Sequence, residues 1–378
     1  MRRLALRGRV FIRGGWMENA TVTLEDGLIN SVDTADHADA VHVDGVIVPG
    51  FIDLHVHGAA GADFMDGTAE AVRTVTEFHA RHGTTALAAT TLAGSHQRIL
   101  QAITAIAGTS AEPPGKAAEI VAVHLEGPWI NPARKGAQDE TSLRAPDVIE
   151  AEAFLAAAPD LRWIMTIAPE LEGIHPLIER LKDRVLFSLG HTNASYGRAL
   201  EAFEWGARHV THLFNAMAPF HHREPGVVGA TLISEKVSAE LIADGIHLHP
   251  AILRYFSRAL EGRACLVTDA MRACGMPPGR YELYEHEVTV ADGAARLHDG
   301  TLAGSVLTMM DAVRNMVELA GLPLEFALPM ASEVPARIVG LSDRKGRIEP
   351  GMDADLVVIT PDLRIASTFV RGREVHPS

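Results

Sequence analysis

Between residues 51 and 269 the chain repeats one unit, an apolar run of strand length followed by a stretch with the 3.6-residue periodicity of an amphipathic helix. Strands that read as near-continuous hydrophobic runs are buried on both faces, and alternation with helices makes them pair in parallel. The runs are Phe51 to His57, Thr85 to Thr91, Ile120 to Glu126, Trp163 to Ala168, Val185 to His191, His209 to Leu213, Ala239 to Asp244 and Cys265 to Asp269. The pattern predicts helices at Thr68 to His82, Gln97 to Ile106, Pro146 to Ala157, Pro176 to Leu181, Tyr196 to Glu204, Pro250 to Leu260 and Met309 to Leu319. Repeated βα units of this kind predict an α/β fold, a closed (β/α)8 TIM-like barrel. Such a barrel takes about 250 residues and leaves room in 378 for a smaller unit.

Both chain ends change to all-β texture. Leu4 to Ile12, Ala20 to Leu24, Leu28 to Val32 and Val46 to Val48 read as strands, separated by the turns Gly14-Gly15, Asp26-Gly27 and Asp44-Gly45. Gly346 to Ile348, Asp355 to Ile359 and Ile365 to Val370 repeat the pattern. The expectation is a small β-sandwich domain built from residues 1–50 plus 347–378, and a barrel domain over 51–346. An insertion from Pro277 to Thr301 reads as a hairpin, with Glu287 to Val290 and Ala295 to Leu297 flanking Asp292-Gly293, on a loop at the catalytic face.

The formal net charge of -14 opposes binding to nucleic acid, which depends on clustered Lys and Arg. No stretch approaches the roughly 18 apolar residues of a membrane span. Arg7, Arg9 and Arg13 interrupt what would be the apolar part of a signal peptide after Met1-Arg2-Arg3. The two cysteines, Cys265 and Cys274, cannot make a disulfide framework, so a cytoplasmic setting is expected.

Nearly every candidate strand ends in a potential metal ligand or acid-base group: His55 and His57, Glu126, His191, His212, Asp244 with nearby His247, and Asp269. In a barrel the C-terminal strand ends share one face, so these residues converge. His55 and His57, two apart on a strand, share one side of it and can reach the same ion. One carboxylate, Glu126, can bridge two cations. Imidazole with carboxylate is the ligand set expected for one or two divalent ions, Zn2+ or Fe2+. Asp269, beside a water on such an ion, can accept a proton and return it to a leaving nitrogen. The five lysines (116, 135, 182, 236 and 345) lie in loops or polar segments, so no carbamylated lysine is expected as a bridge.

These residues resemble the amidohydrolase superfamily through Pro49-Gly50-Phe51-Ile52-Asp53 leading into His55-x-His57, and through the tail Pro350-Gly351-Met352-Asp353-Ala354-Asp355. Within it the chain resembles the N-acetylglucosamine-6-phosphate deacetylases. That narrower likeness rests on His124-Leu125-Glu126-Gly127-Pro128-Trp129, Lys135-Gly136-Ala137-Gln138, Gly190-His191-Thr192-Asn193-Ala194, Thr211-His212-Leu213-Phe214-Asn215-Ala216-Met217, Arg223-Glu224-Pro225-Gly226, Ala243-Asp244-Gly245-Ile246-His247, Val267-Thr268-Asp269-Ala270 and Leu302-Ala303-Gly304-Ser305, in that order.

The resemblance implies one metal site of Glu126, His191 and His212, and a second of His55, His57, Asp269 and the shared Glu126. It implies substrate contacts from Ala137, Gln138, Asn215, Ala216, Arg223, His247 and the segment Leu302, Ala303 and Gly304. His221 and His222 beside Arg223 complete a basic cluster for a phosphate, which a guanidinium grips in bidentate fashion. The implied loop around Arg223 reaches a neighbouring subunit's site in a homodimer. The implied reaction converts N-acetyl-D-glucosamine 6-phosphate to D-glucosamine 6-phosphate and acetate. Metal coordination lowers the pKa of water from 15.7 toward about 7, Asp269 serves as general base and acid, and the ion or His247 stabilises the oxyanion. Competing readings are a cyclic-amide hydrolase, a deacetylase of another N-acetyl sugar, and a catalytically inert metal-binding barrel. The segments around Glu126 and Arg223 oppose the first, Arg223 opposes an uncharged sugar, and the complete ligand set with Asp269 opposes the last.

Overall fold

The computed structural model describes residues 3–35, 37–112 and 115–375; Met1, Arg2 and residues 376–378, included above in the terminal β unit, lie outside them. Eight parallel strands form one sheet in sequence order: β1 (Phe51–Val56), β2 (Thr84–Thr91), β3 (Glu119–Glu126), β4 (Arg162–Ile167), β5 (Leu186–Leu189), β6 (His209–Val210), β7 (Ser238–Ile242) and β8 (Ala264–Val267). Backbone contacts beyond the strand ends close the ring. Asp269 N–H donates to the His55 carbonyl at 2.8 Å, and the N–H groups of His57 and Gly58 both donate to the Ala270 carbonyl at 2.9 Å. Inside, the Asp53 carboxylate accepts from Thr268 Oγ1 at 2.6 Å and so ties the first strand to the last.

Several strands are shorter than the sequence suggests. β5 stops before His191, β6 is two residues long, and β8 stops before Asp269. The cause is local: His191, His212 and Asp269 have φ of 48°, 29° and 50°, the left-handed region, which ends ladder pairing. Such a conformation costs a non-glycine residue roughly 1–2 kcal/mol, and it turns these side chains away from the strand direction toward the mouth of the barrel.

The expected helices form with small shifts of boundary. Thr68, Ser95, Asp147 and Ser195 each accept a backbone N–H at a helix N-terminus, which is why helices start at Ala69, His96, Val148 and Tyr196. Three further helices, Gly226–Ile233, Leu324–Ala331 and Glu333–Ile338, were not expected; Pro225 precedes the first, and Pro329 and Pro335 lie within the other two. The insertion is a three-stranded sheet (Gly279–Leu283, His286–Ala291, Ala294–Arg296) rather than a two-stranded hairpin.

The terminal segments join in one seven-stranded sheet, where Leu356–Ile359 pairs antiparallel with Val41–Pro49, itself parallel to Arg3–Ile12. Leu6, Val22 and Leu24 share one apolar core with Leu356 and Phe369. Gly346 to Ile348 is loop rather than strand. It follows Lys345, whose buried ammonium, 1% exposed, lies 2.5 Å from Asp355, 2.8 Å from Glu119 and 2.9 Å from Asp353. These contacts pin the tail to the start of β3. Among the described residues no helix is long and apolar enough to cross a membrane.

Candidate metal centre

Four imidazoles and two carboxylates from five strand ends meet at the mouth of the barrel. Glu126 Oε1 lies 3.1 Å from both His191 Nε2 and His212 Nε2 and 3.3 Å from His55 Nε2, while Oε2 lies 3.3 Å from His57 Nε2. Asp269 Oδ1 lies 3.2 Å from His57 Nε2 and 3.5 Å from His55 Nε2. The imidazoles face each other through Nε2 in pairs, His55 with His57 and His191 with His212, both at 3.1 Å. The backbone runs tight here: a side chain at Gly190 would meet Thr166 at 2.7 Å and Thr211 at 2.9 Å.

The donor set fits divalent cations. His55 Nδ1 donates to Glu240 at 2.9 Å and His191 Nδ1 donates to the Arg134 carbonyl at 2.9 Å. With the proton on Nδ1, a neutral ring turns the lone pair of Nε2 inward. Lone pairs of paired imidazoles and carboxylate oxygens then converge, which is unfavourable until a positive charge lies among them. Two overlapping triads, His55 with His57 and Glu126, and Glu126 with His191 and His212, are compact enough for an ion each.

The electrostatics express the same demand. Burial opposes charge on His57, yet hydrogen bonds that it donates to the Asp269 and Glu126 carboxylates lift its pKa to about 9. His55 is held well above its ordinary value because the charges of Glu126, Glu240 and Asp269 outweigh its burial. Glu126 is held well below the usual carboxylate range, burial being outweighed by His55, His191 and His212. Without a metal, protons supply the positive charge that a cation supplies when bound.

A cavity of about 320 Å³, a volume suited to a small polar molecule, opens onto the cluster. His57, Glu126, His191, His212 and Asp269 form its floor. Ala137, Gln138, Asn215, Ala216 and His247 stand on its walls with Leu302 and Gly304, and Leu283 brings the inserted sheet to the rim. Gln138 Nε2 donates to Glu126 Oε2 at 2.6 Å. His55 is fully buried behind the floor. Ala303 is likewise buried, and Asp244 stands behind His247, accepting from its Nδ1 at 2.6 Å. His222 and Arg223 are exposed, pair with each other at 2.8 Å, and do not line the cavity of their own chain.

Sequence reasoning missed Arg134 and Glu240. Arg134, at the end of the short 3-10 helix Pro132–Arg134, is the one Lys or Arg lining this cavity among the described residues, and its Nε donates to Asn193. Glu240 is fully buried on β7. The signal for it was present, since a carboxylate inside an apolar run, on the same strand face as Asp244, is costly without a partner.

The sequence profile of the Amidohydrolase family matches residues 46–375. The chain is 39% identical over 367 residues to the N-acetylglucosamine-6-phosphate deacetylase of Bacillus subtilis (strain 168), covering 94% of this chain and 92% of that protein. It is 35% identical over 366 residues to the N-acetylgalactosamine-6-phosphate deacetylase of Escherichia coli O157:H7, covering 97% of each. Its fold superposes with a TM-score of 0.93 and 32% identity, over 100% of both chains, on a mutant of the Mycobacterium smegmatis N-acetyl-D-glucosamine-6-phosphate deacetylase in complex with N-acetyl-D-glucosamine-6-phosphate.

Proposed function

The chain belongs to the amidohydrolase family, and we propose that its barrel mouth hydrolyses the acetamide of N-acetyl-D-glucosamine 6-phosphate to D-glucosamine 6-phosphate and acetate. The protein is a carbon-nitrogen amide hydrolase of a metal-dependent family, and its relatives act on phosphorylated N-acetyl amino sugars. The observation that carries the reading is the convergence of four imidazole Nε2 atoms on Glu126 and Asp269 at the floor of a cavity of sugar size.

Glu126, His191 and His212 would hold one ion and His55, His57 and Asp269, with Glu126, a second, Zn2+ or Fe2+ by ligand type. A cation there would supply Lewis acidity for the acetyl carbonyl and for the attacking water. Asp269 takes the proton of the attacking water and delivers it to the amine nitrogen as the C–N bond breaks. Asp244 orients His247, leaving Nε2 for the substrate. Gln138 holds the Glu126 carboxylate with one end and accepts the Ala93 N–H at 2.8 Å with the other.

For the phosphate, Arg134 offers a guanidinium on the wall, and Arg223 offers another from a second copy of the chain. Phe220, three residues before Arg223, is 46% exposed, which supports a homodimer through that face. The same reading divides the chain at residues 50 and 347 into terminal β unit and barrel, and it includes a cytoplasmic setting, supported by two buried, unpaired cysteines.

The equally long match to a galactosamine enzyme favours a second reading, in which the C4 epimer is the better substrate. Acetate release from the two 6-phosphates and from unphosphorylated N-acetylglucosamine tests both. A higher kcat/KM for the glucosamine 6-phosphate supports the first reading, and equal rates with and without phosphate overturn it.

A further inference from the structure

The Glu240 carboxylate lies beneath the metal cluster, wholly out of water, in the middle of β7. A buried charge of this kind costs several kcal/mol unless donors surround it. Three do. Oε2 accepts from His55 Nδ1 at 2.9 Å and from the backbone N–H of His212 at 2.9 Å, and Oε1 accepts from His209 Nε2 at 3.2 Å. His209 Nδ1 in turn lies 2.7 Å from Ser238 Oγ, which keeps the ring in place.

An ionised carboxylate only accepts hydrogen bonds, so the proton on the line from Glu240 to His55 belongs to Nδ1. Nε2 of His55 then carries its lone pair toward His57 Nε2 at 3.1 Å, Glu126 at 3.3 Å and Asp269 at 3.5 Å. The contrast with the other imidazoles is informative. His191 Nδ1 leans on a neutral carbonyl, and Nδ1 of His57 and of His212 is buried with no partner among the described residues. His55 alone among the four has a carboxylate behind it, the arrangement that fixes a tautomer and makes the ligating nitrogen more basic. The same Oε2 also holds the N–H of His212, whose backbone is left-handed.

His124, close to both His55 and Glu240, does not turn this group into a third cation site. Its Nδ1 lies 3.0 Å from the Leu54 carbonyl and its Nε2 2.7 Å from Thr166 Oγ1, so both nitrogens are committed.

We propose that Glu240 is a positioning residue: it commits His55 to coordination through Nε2 and thereby makes the site of His55, His57, Asp269 and Glu126 competent for its ion. The proposal rests on the metal assignment above, and the test separates the two. Protein stripped with a chelator is titrated with Zn2+ against a chromophoric competitor, for wild type, Glu240→Ala and Glu240→Gln, with thermal unfolding of each stripped protein alongside. Wild type is expected to bind two Zn2+ per chain. In Glu240→Ala one of the two constants falls about 10- to 100-fold, the range for loss of such outer partners, while the other moves by less than about threefold. Glu240→Gln keeps an acceptor oxygen without the charge and recovers part of the loss, leaving about a threefold to tenfold deficit. If Glu240→Ala does not fold, Glu240→Gln decides: a selectively weakened constant at unchanged Tm supports the proposal. Two unchanged constants in the folded variants overturn it and leave the metal assignment standing. Wild type that binds one Zn2+ supports the proposal if Glu240→Ala weakens that constant and overturns it if the constant is unchanged, and wild type that binds none overturns both the proposal and the metal assignment.

Discussion

The backbone N–H of Asp269 donates to the carbonyl of His55 at 2.8 Å. That bond joins the last strand of the barrel to the first, and at the same point it sets the Asp269 carboxylate 3.2 Å from His57 Nε2. The contact that closes the barrel thus also places a side chain of the site. A proton shuttle contributes about 10²- to 10⁴-fold to such a reaction. Asp269→Asn, which preserves shape, is expected to lower kcat by about that factor while metal content, measured on the same sample, stays within about twofold. Undiminished turnover removes Asp269 from the chemistry.

Arg134 is the basic side chain on the cavity wall. A hydrogen bond to a charged group is worth about 1.5–3 kcal/mol, so Arg134→Ala is expected to raise KM for the phosphorylated sugar about 10- to 100-fold with kcat little changed. KM for the unphosphorylated sugar should not move. Arg223→Ala should raise KM in the same way only if two copies associate, which light scattering on the same preparation reports. A change in kcat alone for either variant assigns that residue elsewhere.

Lys345 is surrounded by Asp353, Asp355 and Glu119, with Arg344 adding bonds to Glu119 at 2.8 Å and Asp353 at 2.7 Å. Removing the ammonium leaves buried carboxylates without their main partner. Lys345→Met should destabilise the protein to urea by about 3–5 kcal/mol, the usual cost of breaking a buried pair. A loss below about 1 kcal/mol would mean that the cluster behaves like an exposed ion pair.

Burial presses the pKa of His79 down to about 4, against an ordinary 6.5. Below about pH 6.5 the unfolded chain takes up a proton that the folded chain refuses, so its contribution to stability falls by about 1.4 kcal/mol per unit down to about pH 4. His79→Gln lacks this term. Urea unfolding at pH 7 and pH 5 should therefore show the advantage of wild type over the variant shrinking by about 2 kcal/mol. An identical difference at both pH values would show that His79 titrates normally in the folded state.

The barrel and the meeting of polar side chains at its mouth were legible in the sequence because two signals coincide there: apolar runs of strand length, and a polar residue closing nearly every one. His55, Glu126, His191, His212 and Asp269 all stand where such a run stops. What escaped notice lacks one of those signals. Glu240 sits inside an apolar strand, where hydrophobic neighbours mask a charge whose partners come from distant residues. Arg134 belongs to a loop whose path is set by tertiary contacts, among them its carbonyl on His191. The helices Leu324–Ala331 and Glu333–Ile338 hold prolines that local propensity reads as breaks, though packing on the barrel keeps them helical. Strand lengths were overestimated because left-handed backbone at His191, His212 and Asp269 leaves no trace in residue type.

Acetate release from N-acetylglucosamine 6-phosphate by chelator-stripped protein, followed as Zn2+ or Fe2+ is returned, bears on the whole account. Turnover should be near zero in the stripped protein and rise to a plateau at one or two bound ions per chain. Full turnover with less than about a tenth of an equivalent of bound metal would contradict it, because the imidazoles and carboxylates at the barrel mouth would then be working without the cations their arrangement calls for.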